Sequence, residues 1–211
     1  MKKILLAALS LMLVIGMVAC GEYEGGNDRP EGNIEEAKIL QDIFDLIDPD
    51  NDVKGSSLGN NHYVMVFDYD DIYYRAWAEV SDELMDKIFD LDFFDPDRPQ
   101  KERDLLKDLS IGELTNLSEA MPTGADLQKY VGKKGQDLID EGFSCFGYSF
   151  WDDTVFSLDK GDYAYEVTMN EKMGDYDEDA EYEELLAPLT VKSIVCTGIG
   201  SGATDIFNDY D

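Results

Sequence analysis

The carboxylates Asp48, Asp50 and Asp52 stand at alternate positions in the stretch DPDNDVKGS, and Asp175, Asp177 and Asp179 repeat that spacing in DYDEDAEYEE. Alternate acids are how an EF-hand loop presents oxygens to Ca²⁺, with glycine at the sixth position for the turn and a bidentate glutamate at the twelfth. Here the sixth positions are Val53 and Ala180, and the twelfth are Gly59 and Leu186. Each loop departs from the pattern twice. Two readings stand for both, an irregular Ca²⁺ site and a solvated acidic loop.

Other chemistries find fewer of their groups. His62 is the only histidine and opens the strand-like run HYVMVF, with no HExxH and no paired cysteine, so a zinc hydrolase lacks its usual ligands. A Ser-His-Asp site would also have to use His62, and Ser201 in TGIGSGAT has Ile199 where a nucleophile elbow needs glycine. Gly198, Gly200 and Gly202 do not fit G-x-G-x-x-G, so the same stretch reads as a terminal tail. Carboxylate pairs can run glycoside hydrolysis, but with 47 acids in the chain such pairs arise everywhere by chance. The aromatics between Tyr63 and Trp77 and between Tyr148 and Tyr165 could line a sugar or peptide groove. Their alternation in strand-like text favours packing on sheet faces.

Cys145 and Cys196 lie in the apolar runs GFSCFGYSFW and VKSIVCTG. An exported chain permits a disulfide between them, and unpaired cysteine is equally a small core residue. Neither has histidine or CxxC company. The formal net charge is −30, from 47 Asp and Glu against 17 Lys and Arg. Nucleic-acid binding rests on Lys and Arg neutralising phosphates, which this balance excludes. The acidic surface serves solubility, or it attracts Ca²⁺ or a cationic protein partner.

The elements that would hold these groups are set by periodicity. NIEEAKILQDIFDLIDPD puts Ile34, Ala37, Leu40, Ile43, Phe44 and Ile47 on one helical face, ended by Pro49. A polar turn region runs through Gly55 to Gly59-Asn60-Asn61, and HYVMVFDYDDIYYRAWAEV then reads as a hairpin turning at Asp70-Asp71. Ser81 starts a helix carrying Leu84, Ile88 and Leu91, and Pro99 starts another carrying Leu105, Leu106 and Leu109. Leu114 and Leu117 continue a packed connection, and the seam between halves falls near 95–123. Thr123 and Asp126 have capping-box spacing. Gly132 and Gly135 divide the stretch from Gly124 to Gly142 into two short helices, and Gly142 suits a C-terminal cap. FSCFGYSFW, TVFSL, YAYEVTM and LTVKSIVCTG are each strand-like. Both halves run helix, then hairpin with an Asp-Asp turn, first FDYDDIYY and then FWDDTVF, the pattern of an internal duplication. The expectation is one α+β body over 34–211, an antiparallel sheet packed by short helices.

Before that body, Lys2 and Lys3 precede an uncharged apolar run from Ile4 to Ala19, the layout of an export signal. The run meets Glu22 soon after its end, which makes it short for the roughly 20 residues of a spanning helix. Met17-Val18-Ala19-Cys20 resembles the lipobox of bacterial lipoproteins, with Met17 where leucine is usual. That resemblance covers only the leader. It implies that residues 1–19 are removed and that Cys20, alkylated with diacylglycerol, becomes the first residue and the membrane anchor. Residues 20–33 are rich in glycine and charge and read as a flexible tether. The function expected from sequence is a lipid-anchored envelope protein on the extracytoplasmic side, non-enzymatic, binding a partner or serving structurally. The alternatives are a carboxylate-dependent hydrolase of envelope or extracellular polymer and a Ca²⁺-dependent binding module.

Overall fold

The computed structural model describes residues 32–149, 153–172 and 180–205. Cys20, the leader, the tether up to Glu31 and the trio Asp175, Asp177 and Asp179 lie outside them. The first half begins with a 3-10 turn at Ile34–Glu36 and the short helix α1 (Leu40–Phe44). The helical periodicity over 34–47 is interrupted because the Asp42 carboxylate accepts from the Lys38 and Ile39 N–H groups, capping a fresh helix there. Strands β1 (Val53–Gly59), β2 (His62–Tyr69) and β3 (Ile72–Glu79) come next as an antiparallel meander. Both connecting turns have two left-handed residues, Asn60 and Asn61 in one and Asp70 and Asp71 in the other. This is the tight hairpin geometry that Asn and Asp tolerate best among side-chain-bearing residues. Helices α2 (Asp82–Phe89) and α3 (Arg98–Leu106) then lead to β4 (Ile111–Asn116), which pairs with β3.

Strand alternation turns Tyr63, Met65 and Phe67 of β2 to one face, opposite Ala78, Ala76 and Tyr74 of β3. Leu40 and Ile43 of α1, Ile88 of α2 and Leu106 of α3 cover that face, all buried.

The second half repeats the plan. Helix α4 (Gly124–Leu127), a 3-10 turn at Gln128–Tyr130 and α5 (Gly135–Asp140) precede a second sheet. Its strands are β5 (Ser144–Ser149), β6 (Val155–Lys160), β7 (Tyr163–Met169) and β8 (Val191–Ile199), in sequential antiparallel order, with α6 (Tyr182–Leu186) before the last. Phe156, Leu158, Tyr165 and Val167 face Leu127, Tyr130, Leu138 and Leu186 in its core. The fold is therefore α+β, with two four-stranded sheets rather than one.

The duplication extends to single hydrogen bonds. Leu40 N–H donates to the Leu109 carbonyl (3.0 Å) and Gly135 N–H to that of Leu189 (2.8 Å). Gln41 N–H donates to Lys107 and Gln136 N–H to Ala187; Ile111 N–H donates to Lys38 and Val191 N–H to Lys133. The Gln41 and Gln136 side-chain amides donate to Asp45 and Asp140, at 2.6 and 2.8 Å. The repeated words are thus KILQD with KKGQD, and LKDLSI with LAPLTV.

One sequence-based equivalence needs correction. The partner of the Asp70-Asp71 turn is Gly161-Asp162, between β6 and β7, while Asp153 lies in the connection before β6 that matches Asn60-Asn61. The cause is β1, an additional strand whose text VKGSSLG carries little strand signal.

Candidate functional site

A groove of about 990 Å³ runs across the edge strand β1. On one side Tyr63 and Met65 form its floor, with Leu106 and Glu102 of α3; on the other it is lined by Phe146, Asp159 and Ala164 of the second sheet and by Ser201 and Thr204, the last beside Gly55. The loop before α3 supplies Phe93, Asp95 and Pro96 as an outer wall, and Arg98 and Arg103 also line it.

The two halves meet at this groove's inner end. Val66, Leu117 and Ala203 are buried together, with Tyr73 and Ile199 packed against them. The chain reaches that point through a 3-10 turn at Ser201–Thr204. Ser57 Oγ donates to the Thr204 carbonyl, Tyr163 OH donates to the Leu117 carbonyl at 2.8 Å, and Arg75 pairs with Asp162. Backbones are so close here that a Cβ on Gly202 would stand 2.2 Å from the Gly161 carbonyl oxygen, and one on Gly200 would stand 2.7 Å from that of Tyr163. The glycines of TGIGSGAT serve close approach between segments. Its first expectation, a terminal tail, gives way to a buried joint, because Ala203 fills the outer face of the first sheet.

Three carboxylates line the groove. Asp95 is held by Lys101 in an ion pair. Asp159 accepts from Ser201 N–H (2.9 Å) and Ser201 Oγ (2.5 Å). Among the described residues Glu102 makes no such bond; burial raises its carboxyl above the usual glutamate range, against the pull of the Arg98 and Arg103 guanidiniums. Burial likewise pushes up the Tyr63 hydroxyl, which the Ser56 side chain partners. The groove therefore offers an apolar floor, one carboxyl whose charge is disfavoured, and two guanidiniums.

The sequence-predicted metal residues are placed differently. Asp48 accepts from Asp50 N–H (3.1 Å) and from the Asn51 amide (2.6 Å), Asp52 accepts from Asp48 N–H (2.8 Å), and Asp50 pairs with Arg103 at 3.0 Å. Asp48 and Asp52 cap their own turn, Asp50 is turned to Arg103, and the three do not converge. Among the described residues no group of three or more His, Cys, Asp or Glu side chains is arranged to hold a metal ion.

Cys145 and Cys196 are free thiols. The register joins Cys145 to Leu158, Leu158 to Tyr165, and Tyr165 to Cys196, so the two stand at opposite edges of the sheet. Three strand spacings of about 4.8 Å separate them, beyond the reach of a disulfide. Burial raises both thiols, Cys145 to about 11. His62 sits at the start of β2 with its ring 4.5 Å from that of Trp77.

Comparison with protein families, with curated proteins and with solved structures finds no match to this chain. Sequence reasoning did not assemble the groove, since its walls come from segments about a hundred residues apart; the one local signal was the apolar-aromatic joint DFFDPDRPQ between two helices.

Proposed function

We propose that the protein is a lipid-anchored, extracytoplasmic binding module held in the membrane through Cys20. The groove across β1 carries the binding part: concave, apolar at the floor, with a few polar groups at the rim, as ligand and peptide sites are built. The anchoring part is supported by Met17-Val18-Ala19-Cys20 at the end of an export signal. Two acyl chains on that cysteine hold a protein stably where one holds it marginally.

Two experiments test the proposal. Cys20→Ser should move the protein from the membrane fraction to the soluble extracytoplasmic fraction; retention in the membrane would sink the anchor. Co-purification from detergent-solubilised cells should recover a stoichiometric partner, and a chain that repeatedly emerges alone would sink the binding role.

A second reading, a carboxylate-dependent hydrolase, draws on Glu102. A carboxyl whose charged form burial disfavours is suited to the part of a general acid. Such chemistry needs a second carboxylate facing it across the bond to be cut, and both Asp95 and Asp159 are engaged by other groups. Loss of polymer hydrolysis in Glu102→Gln would favour this reading; no hydrolysis by the parent protein would remove it.

A further inference from the structure

The duplicated plan shows where the two halves differ in length. The segment between the third strand and the repeated LxxL[ST] word spans residues 80–105 in the first half and 170–185 in the second. The longer version contains α2 and the joint between α2 and α3, and the end of that helix and the joint together carry three phenylalanines turned to water. Phe89 is 59% exposed, Phe93 56% and Phe94 88%. Large apolar side chains grouped in this way mark interaction surfaces.

The joint is also fastened to itself. Phe94 N–H donates to the Asp92 carboxylate (3.0 Å) and Asp97 N–H to that of Asp95 (2.8 Å). The Arg98 guanidinium lies 5.4 Å over the Phe93 ring, the Phe93 and Phe94 rings meet edge to face at 5.4 Å, and Lys101 pairs with Asp95. The rings are thus presented on a structured loop, so docking loses little conformational freedom.

Charge decides what they dock into. Asp86, Asp90, Asp92 and Asp97 flank the three phenylalanines along the chain, and none of them makes an ion pair among the described residues. In a chain of net charge −30 this surface repels anionic lipid headgroups and acidic proteins. We propose that Phe93 and Phe94, with Phe89, insert into an apolar pocket rimmed by lysine or arginine on a partner protein, the aspartates meeting the rim. The proposal rests on the binding role argued above and gives the partner a chemistry. It is continuous with the groove, since Phe93, Asp95 and Arg98 form the groove's outer wall.

The test uses the full chain in its own cells, with the photoreactive probe p-benzoylphenylalanine replacing Phe94 and, as a control, replacing Val195, which is 50% exposed on the second sheet. Light should attach one protein at position 94 and not at 195. Combining Asp90→Asn, Asp92→Asn and Asp97→Asn should lower that yield at least about tenfold, as should raised salt. Asparagine at 92 keeps an acceptor for Phe94 N–H, and unchanged melting of this variant confirms that the loop is intact. Adducts to lipid alone, no adduct, equal adducts at both positions, or a yield indifferent to the aspartates would each overturn the proposal. Phe94→Ser provides the second arm. A partner still co-purifying undiminished with it would remove the aromatic contact and leave the binding role standing, whereas a loss of about 30-fold in affinity is expected of a central anchor. No partner with the parent chain would remove both.

Discussion

Arg75, in the third strand of the first sheet, places its guanidinium 3.0 Å from the carboxylate of Asp162, in the turn that joins two strands of the second. The bond ties the halves together across the end of the groove, beside the Tyr163 hydroxyl that donates to Leu117. Both charged side chains are partly shielded, 24% and 30% exposed. Asp162→Asn should therefore lower the stability of the whole chain by about 0.5–1 kcal/mol. A double-mutant cycle with Arg75→Ala, read by urea unfolding, should give a coupling of that size. Zero coupling would mean that burial around Ala203, rather than the ion pair, holds the joint.

Glycines in the second half divide sharply by surroundings. A Cβ on Gly135 would lie 2.1 Å from the Leu186 carbonyl oxygen, a backbone atom that cannot step aside, whereas one on Gly124 meets nothing within 4 Å. Gly135→Ala should destabilise by about 1–3 kcal/mol or more. Gly124→Ala, at the start of α4, should be neutral or stabilising by about 0.4–1 kcal/mol. Equal melting temperatures for the two variants would contradict the close packing of α5 on α6.

Glu102 gives the groove a pH signature. Its folded pKa is raised, so the folded chain favours the neutral acid. The associated stability is complete below the unfolded value of about 4.3 and is lost as pH rises through the folded value. Glu102→Gln should melt above the parent near pH 7, and the two should converge below about pH 4. A variant that melts lower at neutral pH would show that Arg98 and Arg103 dominate over burial.

The Asp48–Asp52 turn already holds an intramolecular cation, since Arg103 pairs with Asp50. Asp50→Asn and the parent should therefore respond alike when millimolar Ca²⁺ replaces chelator at fixed ionic strength. A saturated site stabilises by about 2.7 kcal/mol at a hundredfold excess over its Kd, which is roughly 5–10 °C in a domain of this size. A rise of that order that vanishes in Asp50→Asn would restore this turn as a Ca²⁺ site.

The two sheet cysteines should stay reduced and unreactive. Burial holds Cys145 at about 11 and raises Cys196, so little thiolate exists near pH 8. In residues 33–211, both thiols should react quickly with an aromatic disulfide reagent in denaturant and slowly without it. Fast native labelling, or an oxidised species on a non-reducing gel, would contradict the half-buried, separated placement.

Strong local patterns in this chain were readable because one face of each element is buried. YAYEVTM alternates, and its buried set, Tyr165, Val167 and Met169, is the set the alternation selects; HYVMVF is strand-like text buried on both faces from Tyr63 to Phe67, since Ala203 and Leu117 pack with Val66. The Ser81 and Thr123 caps also stand where the sequence puts them, accepting from Leu84 and Asp126 N–H groups. Strands β1 and β4 were not readable. VKGSSLG and IGELTN have small or polar side chains and become strands through the backbone bonds that β2 and β3 offer. The groove was invisible for the same reason: it runs across one of those strands, β1, and its far wall depends on where residues 199–204 land.

That landing place sets an order of assembly. Val66 and Tyr73 belong to the half of the chain that is synthesised first, yet the residues that cover them, Ile199 and Ala203, are among the last of the described chain. Until those arrive, the first sheet shows an apolar patch to its surroundings, a natural handle for a chaperone and a hazard without one. The half that is made first is the half that is completed last.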